Sequence, residues 1–173
     1  MRIKMKQRSP KIIFGLLLIS LLAMFFIPVP TLLVGQQQGK PDIVIPLIFD
    51  KTFTYEYLHS VLKTPVQENF LLAPGNNLLL TSTAFKSYGV GTPFLQGEGE
   101  LENRNGQFIL KGQNRRFQQL NFGVIPFTEP ALLYRGGRYN FKDYFKAGSL
   151  ITLKVKTLTP AKILALTLEG GKI

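Results

Sequence analysis

The sequence predicts an all-β chain: an antiparallel β-sandwich, or barrel-like sandwich, of about nine short strands, preceded by one N-terminal transmembrane helix. Three observations carry this expectation. After Pro41, runs rich in Val, Ile, Leu, Phe and Thr recur between clusters of Gly, Pro and Asn, with little helical periodicity. Arg104-Asn105-Gly106 is a hairpin signal, because Asn-Gly accepts the positive φ values that tight hairpins need. Residues 12–34 form an uncharged, mostly apolar run behind a purely basic segment.

Taken in order, the chain opens with Arg2, Lys4, Lys6, Arg8 and Lys11 and no acid. Residues 12–27 read IIFGLLLISLLAMFFI, and no charge follows until Lys40. This pattern delivers a segment to the membrane with its basic end in the cytoplasm. It serves either a cleaved signal peptide or a retained anchor. The best cleavage position, after Gly35, sets Leu33 where a small residue is wanted, and there is no Cys for lipid attachment. The reading adopted is an uncleaved anchor. A helix over residues 12–27 is about 24 Å long. Pro28 and Pro30 end the regular helix, while the apolar run continues to Val34. The expected organisation is a basic cytoplasmic stub and anchor or signal segment over 1–35, a linker over 36–42, and a β domain over 43–173 outside the cytoplasm. The protein is then a single-pass protein of the cell membrane, with the bilayer as partner of residues 12–34.

Strands are expected at 43–49, 52–62, 66–72, 78–86, 97–103, 107–112, 119–125, 131–135 and 150–157. Turns are expected at Gly75-Asn76-Asn77 and Gly136-Gly137, and one short helical turn over 140–147. Residues 162–168 (KILALTL) read as a last strand or a tail.

The composition excludes several chemistries. The chain has no Cys and one His, so a disulfide scaffold, a zinc knuckle, a Cys nucleophile and a His cluster are ruled out. Its net charge is +11, and five of the basic residues precede the apolar run. What remains is mildly basic and lacks the clustered face of a nucleic-acid reader, so no nucleic-acid partner is expected. No metal or cofactor constellation stands out. Glu98, Glu100 and Glu102 alternate, and are read as the solvated face of an edge strand.

Two places hold candidate chemistry. If Thr64 and Pro65 form the loop of a hairpin, Val61 faces Glu68 and His59 faces Phe70. Phe53, Tyr55, Tyr57, His59 and Val61 then share the core face with Glu68, Phe70 and Leu72. His59 and Glu68 become diagonal neighbours, a pair open to a structural, a ligand-binding or a catalytic reading. Ser60 points to the other face of a regular strand, which argues against it as the Ser of a triad, and leaves only a distant Ser such as Ser82 or Ser87. The second place is the loop Ser87-Tyr88-Gly89-Val90-Gly91-Thr92-Pro93, either a glycine bend at a sheet edge or a nest of backbone N–H groups for an anion.

The run YEYLHSVLKTPVQENFLL, followed by FKSYGVGTP, resembles a family of bacterial extracytoplasmic domains, the domain-of-unknown-function family 1850. The shared pattern is an aromatic strand ending in His59-Ser60, then Glu68, then a Gly89-x-Gly91-x-Pro93 loop. The resemblance covers roughly residues 43–157. It implies association with tripartite (TRAP-type, TAXI-class) solute transporters and brings no established activity. The expected function is a non-enzymatic, membrane-tethered accessory to such a transporter, with transporter membrane subunits as partners. The alternatives are a small-ligand-binding module using His59, Ser60, Glu68, Gly89, Gly91 and Pro93, or a cell-surface hydrolase built around His59.

Overall fold

The structure, a computed structural model, describes residues 10–86, 97 and 99–170. Helix α1 spans Pro10–Met24. It is apolar on all sides, and Ile12, Phe14, Leu17, Ile19 and Leu22 are exposed. Fifteen residues give about 22 Å at 1.5 Å per residue. Among the described residues no helix is long and apolar enough to cross a membrane. The expected transmembrane helix is therefore a shorter element, because the second part of the apolar run is a strand.

That strand, β1 (Val29–Gln36), lies between β2 (Pro41–Pro46) and β11 (Leu150–Leu158), antiparallel to both. With β8 (Gln119–Gly123) they form a four-stranded sheet in the order β2-β1-β11-β8. The second sheet contains β3 (Thr52–Leu58), β4 (Pro65–Ala73), β5 (Asn77–Phe85), β6 (Glu100–Arg104), β7 (Gln107–Phe117), β9 (Ala131–Tyr134) and β10 (Gly137–Asn140). Its order is β10-β9-β3-β4-β5-β7-β6. The chain passes from one sheet to the other at Gln118, between β7 and β8.

One core fills the space between the sheets. Leu32, Val34, Ile43, Ile45, Ile151 and Leu153 come from the four-stranded side. Phe53, Phe70, Leu78, Leu80 and Leu132 meet them from the other. Strand β1 is buried on both faces: Leu32 and Val34 enter this core, and Leu33 enters a second cluster with Val44, Leu158 and Ile163. A strand buried on both sides carries apolar residues without alternation. TLLVG therefore reads as part of the apolar run that follows the helix, and the domain begins near Val29 rather than at residue 43. The expected linker is the turn between β1 and β2, closed by Gly39 N donating to Gln36 O at 3.0 Å. A Cβ on Gly35 would meet Lys40 O at 2.8 Å, so the bulge at this point requires glycine.

The expected strands between 43 and 157 each have an observed counterpart. Asn105 (φ 51) and Gly106 (φ 83) form the two-residue turn of the β6–β7 hairpin, with Arg104 paired to Gln107. Expected helical turn 140–147 is a short 3-10 turn, Phe141–Asp143, preceded by the additional strand β10. Residues 162–168 are neither strand nor tail. They belong to helix α2 (Pro160–Leu168), capped by Thr159, whose side chain accepts from Lys162 N, with Pro160 at the first turn. Thr-Pro ahead of an apolar run is a helix start, because proline needs no N–H partner there.

The role of β1 is testable by truncation. A chain beginning at Gln36 lacks the strand between β2 and β11 and is expected to lose cooperative unfolding, whereas one beginning at Pro28 retains it. Leu32→Ala in the full chain is expected to cost about 2–5 kcal/mol in urea denaturation. A loss below about 0.5 kcal/mol would place Leu32 outside the core.

Candidate functional site

The β3–β4 hairpin sets the geometry. Phe53 pairs with Phe70, Tyr55 with Glu68 and Tyr57 with Val66. The connection is therefore longer than the expected Thr64-Pro65 loop and runs from His59 to Thr64. His59 N donates to Thr64 O, and Lys63 N to His59 O, both at 2.9 Å. Glu68 meets Tyr55 rather than Val61, an even displacement, so each side chain keeps its expected face. Phe53 and Phe70 stack inside the core at 5.4 Å. On the outer face Thr54 donates to Asn69 at 2.7 Å and Gln67 donates to Glu56 at 2.6 Å.

The displacement removes the expected His59–Glu68 pair. His59 is a buried loop residue whose Nδ1 accepts the N–H groups of Val61 (3.3 Å) and Leu62 (3.2 Å). It acts as an Asn does in a side-chain-capped turn, satisfying backbone donors that the loop leaves over. Ser60 lies exposed in the same loop. Ser82 accepts from Asn69 at 3.0 Å on the outer face of the sheet, away from Glu68. His59 thus has neither Ser82 nor Glu68 as a partner among its described hydrogen bonds. Gly89, Gly91 and Pro93, with Ser87, lie outside the described residues, as does Glu98. Glu102 sits on edge strand β6, bonded by Arg104 and Lys111 as a solvated edge requires.

Around Glu68 the structure assembles a different group. Tyr55, Glu68, Thr83 and Leu110 are successive cross-strand partners on β3, β4, β5 and β7. Directly opposed residues share a face, so the polar members Tyr55, Glu68 and Thr83 line up across the aromatic inner side of the sheet, with Leu110 closing the row. Tyr55 is covered by Phe122, with ring centroids 4.7 Å apart. Tyr57 donates its hydroxyl to Glu68, and burial, with the Glu68 charge and this hydrogen bond adding to it, pushes the phenol pKa up to about 12. Burial pushes the Glu68 carboxyl up, and the Arg115 charge and the Tyr57 hydroxyl offset part of the rise.

Gln113 completes the group from β7. The β5–β7 register breaks between Leu80 and Ser82, and Gly112 takes φ 74. A bulge re-aims the side chain it carries. Gln113 is 4% exposed and its Oε1 accepts from Thr83 Oγ1 at 2.7 Å. Its Nε2 is buried and has no hydrogen-bond partner among the described residues. A buried amide donor left unmet costs about 1–3 kcal/mol, so it marks a place where a polar atom is to be supplied. Together these residues bring a hydrogen-bond donor and a carboxyl group to the aromatic inner side of the sheet. Sequence reasoning had Glu68 but missed Gln113, since the expected strand ended at Gly112; a glycine inside a strand pattern is the signal of a bulge.

A half-open cleft of about 500 Å³ lies elsewhere, lined by Glu129, Asn140, Lys142 and Asp143 among others. Asn140 donates to Asp143 at 3.3 Å across its rim, so part of its polar lining is already paired.

Comparison with family models gives a match over half of the chain. The family described as a domain of unknown function (DUF1850) matches residues 53–141, which run from β3 to the turn after β10 and include Glu68, Thr83 and Gln113. No curated protein and no solved structure matches.

Two outcomes follow from this geometry. His59→Asn keeps an acceptor for the loop N–H groups and is expected to preserve stability, whereas His59→Ala loses about 1 kcal/mol in urea denaturation. The Ala substitutions at His59 and Glu68 are expected to add within about 0.5 kcal/mol, because the two residues share no partner. The second outcome concerns pH. The folded state raises the Glu68 pKa, so its proton is held more tightly folded than unfolded. The stability this proton contributes is complete below the ordinary carboxylate range and is lost as pH rises through the folded value. The stability of wild type relative to Glu68→Gln is therefore expected to fall as pH rises from about 4 to 8. A difference independent of pH would mean that Glu68 titrates as an ordinary carboxylate.

Proposed function

We propose, from the premise that the chain belongs to the DUF1850 family, that it is a membrane-tethered, extracytoplasmic, non-enzymatic β-sandwich that holds a small polar ligand for a TRAP/TAXI-type solute transporter. The observation that carries the binding role is the unmet Nε2 of Gln113, whose Oε1 accepts from Thr83, the cross-strand partner of Glu68. Polar networks that are purely structural tend to satisfy their own members, and among the described residues this one leaves a buried donor unmet.

The tether is supported by the basic residues ahead of α1 and by apolar side chains exposed on every side of it. Exposed Phe25, Phe26 and Ile27 extend the apolar surface beyond the helix end. A helix apolar all round has no face for water. The transporter role rests on the resemblance of the Tyr55–Pro93 region, and membrane subunits of the transporter are its partners.

Native mass spectrometry of the full chain, released from membranes in mild detergent, tests the binding role. Wild type is expected to retain a small polar molecule, and Gln113→Leu to retain at least tenfold less at equal folding, about 1.4 kcal/mol of affinity. Equal retention by both proteins, or no retained molecule from any native membrane preparation, would remove the site. Co-purification of transporter membrane subunits with the full chain tests the partner.

A further inference from the structure

The outer face of the four-stranded sheet carries features that ligand binding leaves unexplained. Helix α2 packs Ile163 and Leu166 onto Leu33, Val44 and Leu158. An ordinary surface helix turns polar residues outward. This one turns out Leu164 and Leu168, which are 52% and 78% exposed, together with exposed Ala161 and Ala165.

A cleft of about 210 Å³ runs between α2 and strands β1 and β11. Its floor is Leu33, Leu158 and Leu166, and its rim carries Lys154, Lys156 and Lys162. None of the three lysines has a carboxylate partner among the described ion pairs; Glu169 is taken by Lys40 at 2.8 Å. Asp42, which alternation places on the face of Val44, is a further carboxylate on this side among the described residues, and burial pushes its pKa up.

Connectivity indicates what covers this face. Val29 packs against the cluster under α2, and α1 ends at Met24. Five Cα steps span at most about 18 Å. If α1 lies in lipid, α2 is held at the bilayer surface. A nine-residue helix binds a membrane weakly by itself, but a tether this short raises its effective concentration there.

We propose that the outward face of α2 and the lysine rim of β11 lie on an anionic phospholipid bilayer, with Leu164 and Leu168 among the acyl chains and Lys154, Lys156 and Lys162 against the phosphates. The placement rests on the tether reading given above. It fixes the orientation of the sandwich, with the seven-stranded sheet turned away from the membrane.

Because the chain contains no cysteine, one introduced cysteine gives one labelled position. The full chain is reconstituted in phosphatidylcholine vesicles with and without phosphatidylglycerol. An environment-sensitive fluorophore is placed at Leu164→Cys, at Leu17→Cys in α1, or at Arg116→Cys on the far sheet, and quenched by spin-labelled lipid. Quenching at 164 is expected to exceed that at 116 about threefold with phosphatidylglycerol present, and to fall toward the 116 level when Lys154, Lys156 and Lys162 are changed to Glu. Quenching at 17 with none above background at 164 overturns the inference and leaves the tether standing. Quenching at 164 but not at 17 supports the α2 contact and overturns the tether. Absence at both positions overturns both. Equal quenching at 164 with and without phosphatidylglycerol overturns the part assigned to the lysines.

Discussion

The sandwich depends on β1 being buried from both sides. Leu32 and Val34 face the main core while Leu33 faces the cluster under α2. Its neighbours, β2 and β11, come from opposite ends of the domain's sequence and meet only through it. Without β1 each would present an unpaired edge, and the inner face of the four-stranded sheet would have a gap in its middle. The segment joining the N-terminal helix to the domain is thus a structural centre rather than a linker.

The same double burial limits what the sequence reveals. Alternation marks strands with one wet face, and β3 and β4 have it: Thr54, Glu56, Gln67 and Asn69 outward, Phe53, Tyr55, Glu68 and Phe70 inward. Those faces were legible, along with the Asn105-Gly106 turn and most strand positions. β1 lacks alternation, and an apolar run does not tell helix from buried strand by period alone. Pro28 and Pro30 were the cue that the helix had ended. At the other end of the chain, Thr159-Pro160 was the cue to α2.

The candidate site was half legible for a related reason. Parity of facing survives any even change of register, so Glu68 fell on the inner face although its partner on β3 was misplaced. Pairing does not survive such a change, so the His59–Glu68 contact did not form. Loop length decided it: His59 satisfies the N–H groups of Val61 and Leu62, which lets the connection extend from His59 to Thr64. Gln113 depends on a bulge, a local break in register that alternation cannot foresee. The site is built where regular strand geometry gives way, on β7 beside Gly112.

The direct passage from α1 into β1 also has a mechanical consequence. Any pull delivered through the helix enters the domain along the axis of β1. The hydrogen bonds to β2 and β11 run perpendicular to that axis. They are loaded together, in shear, rather than opened one after another as at a peeled edge. The point of attachment is a strand held from both sides.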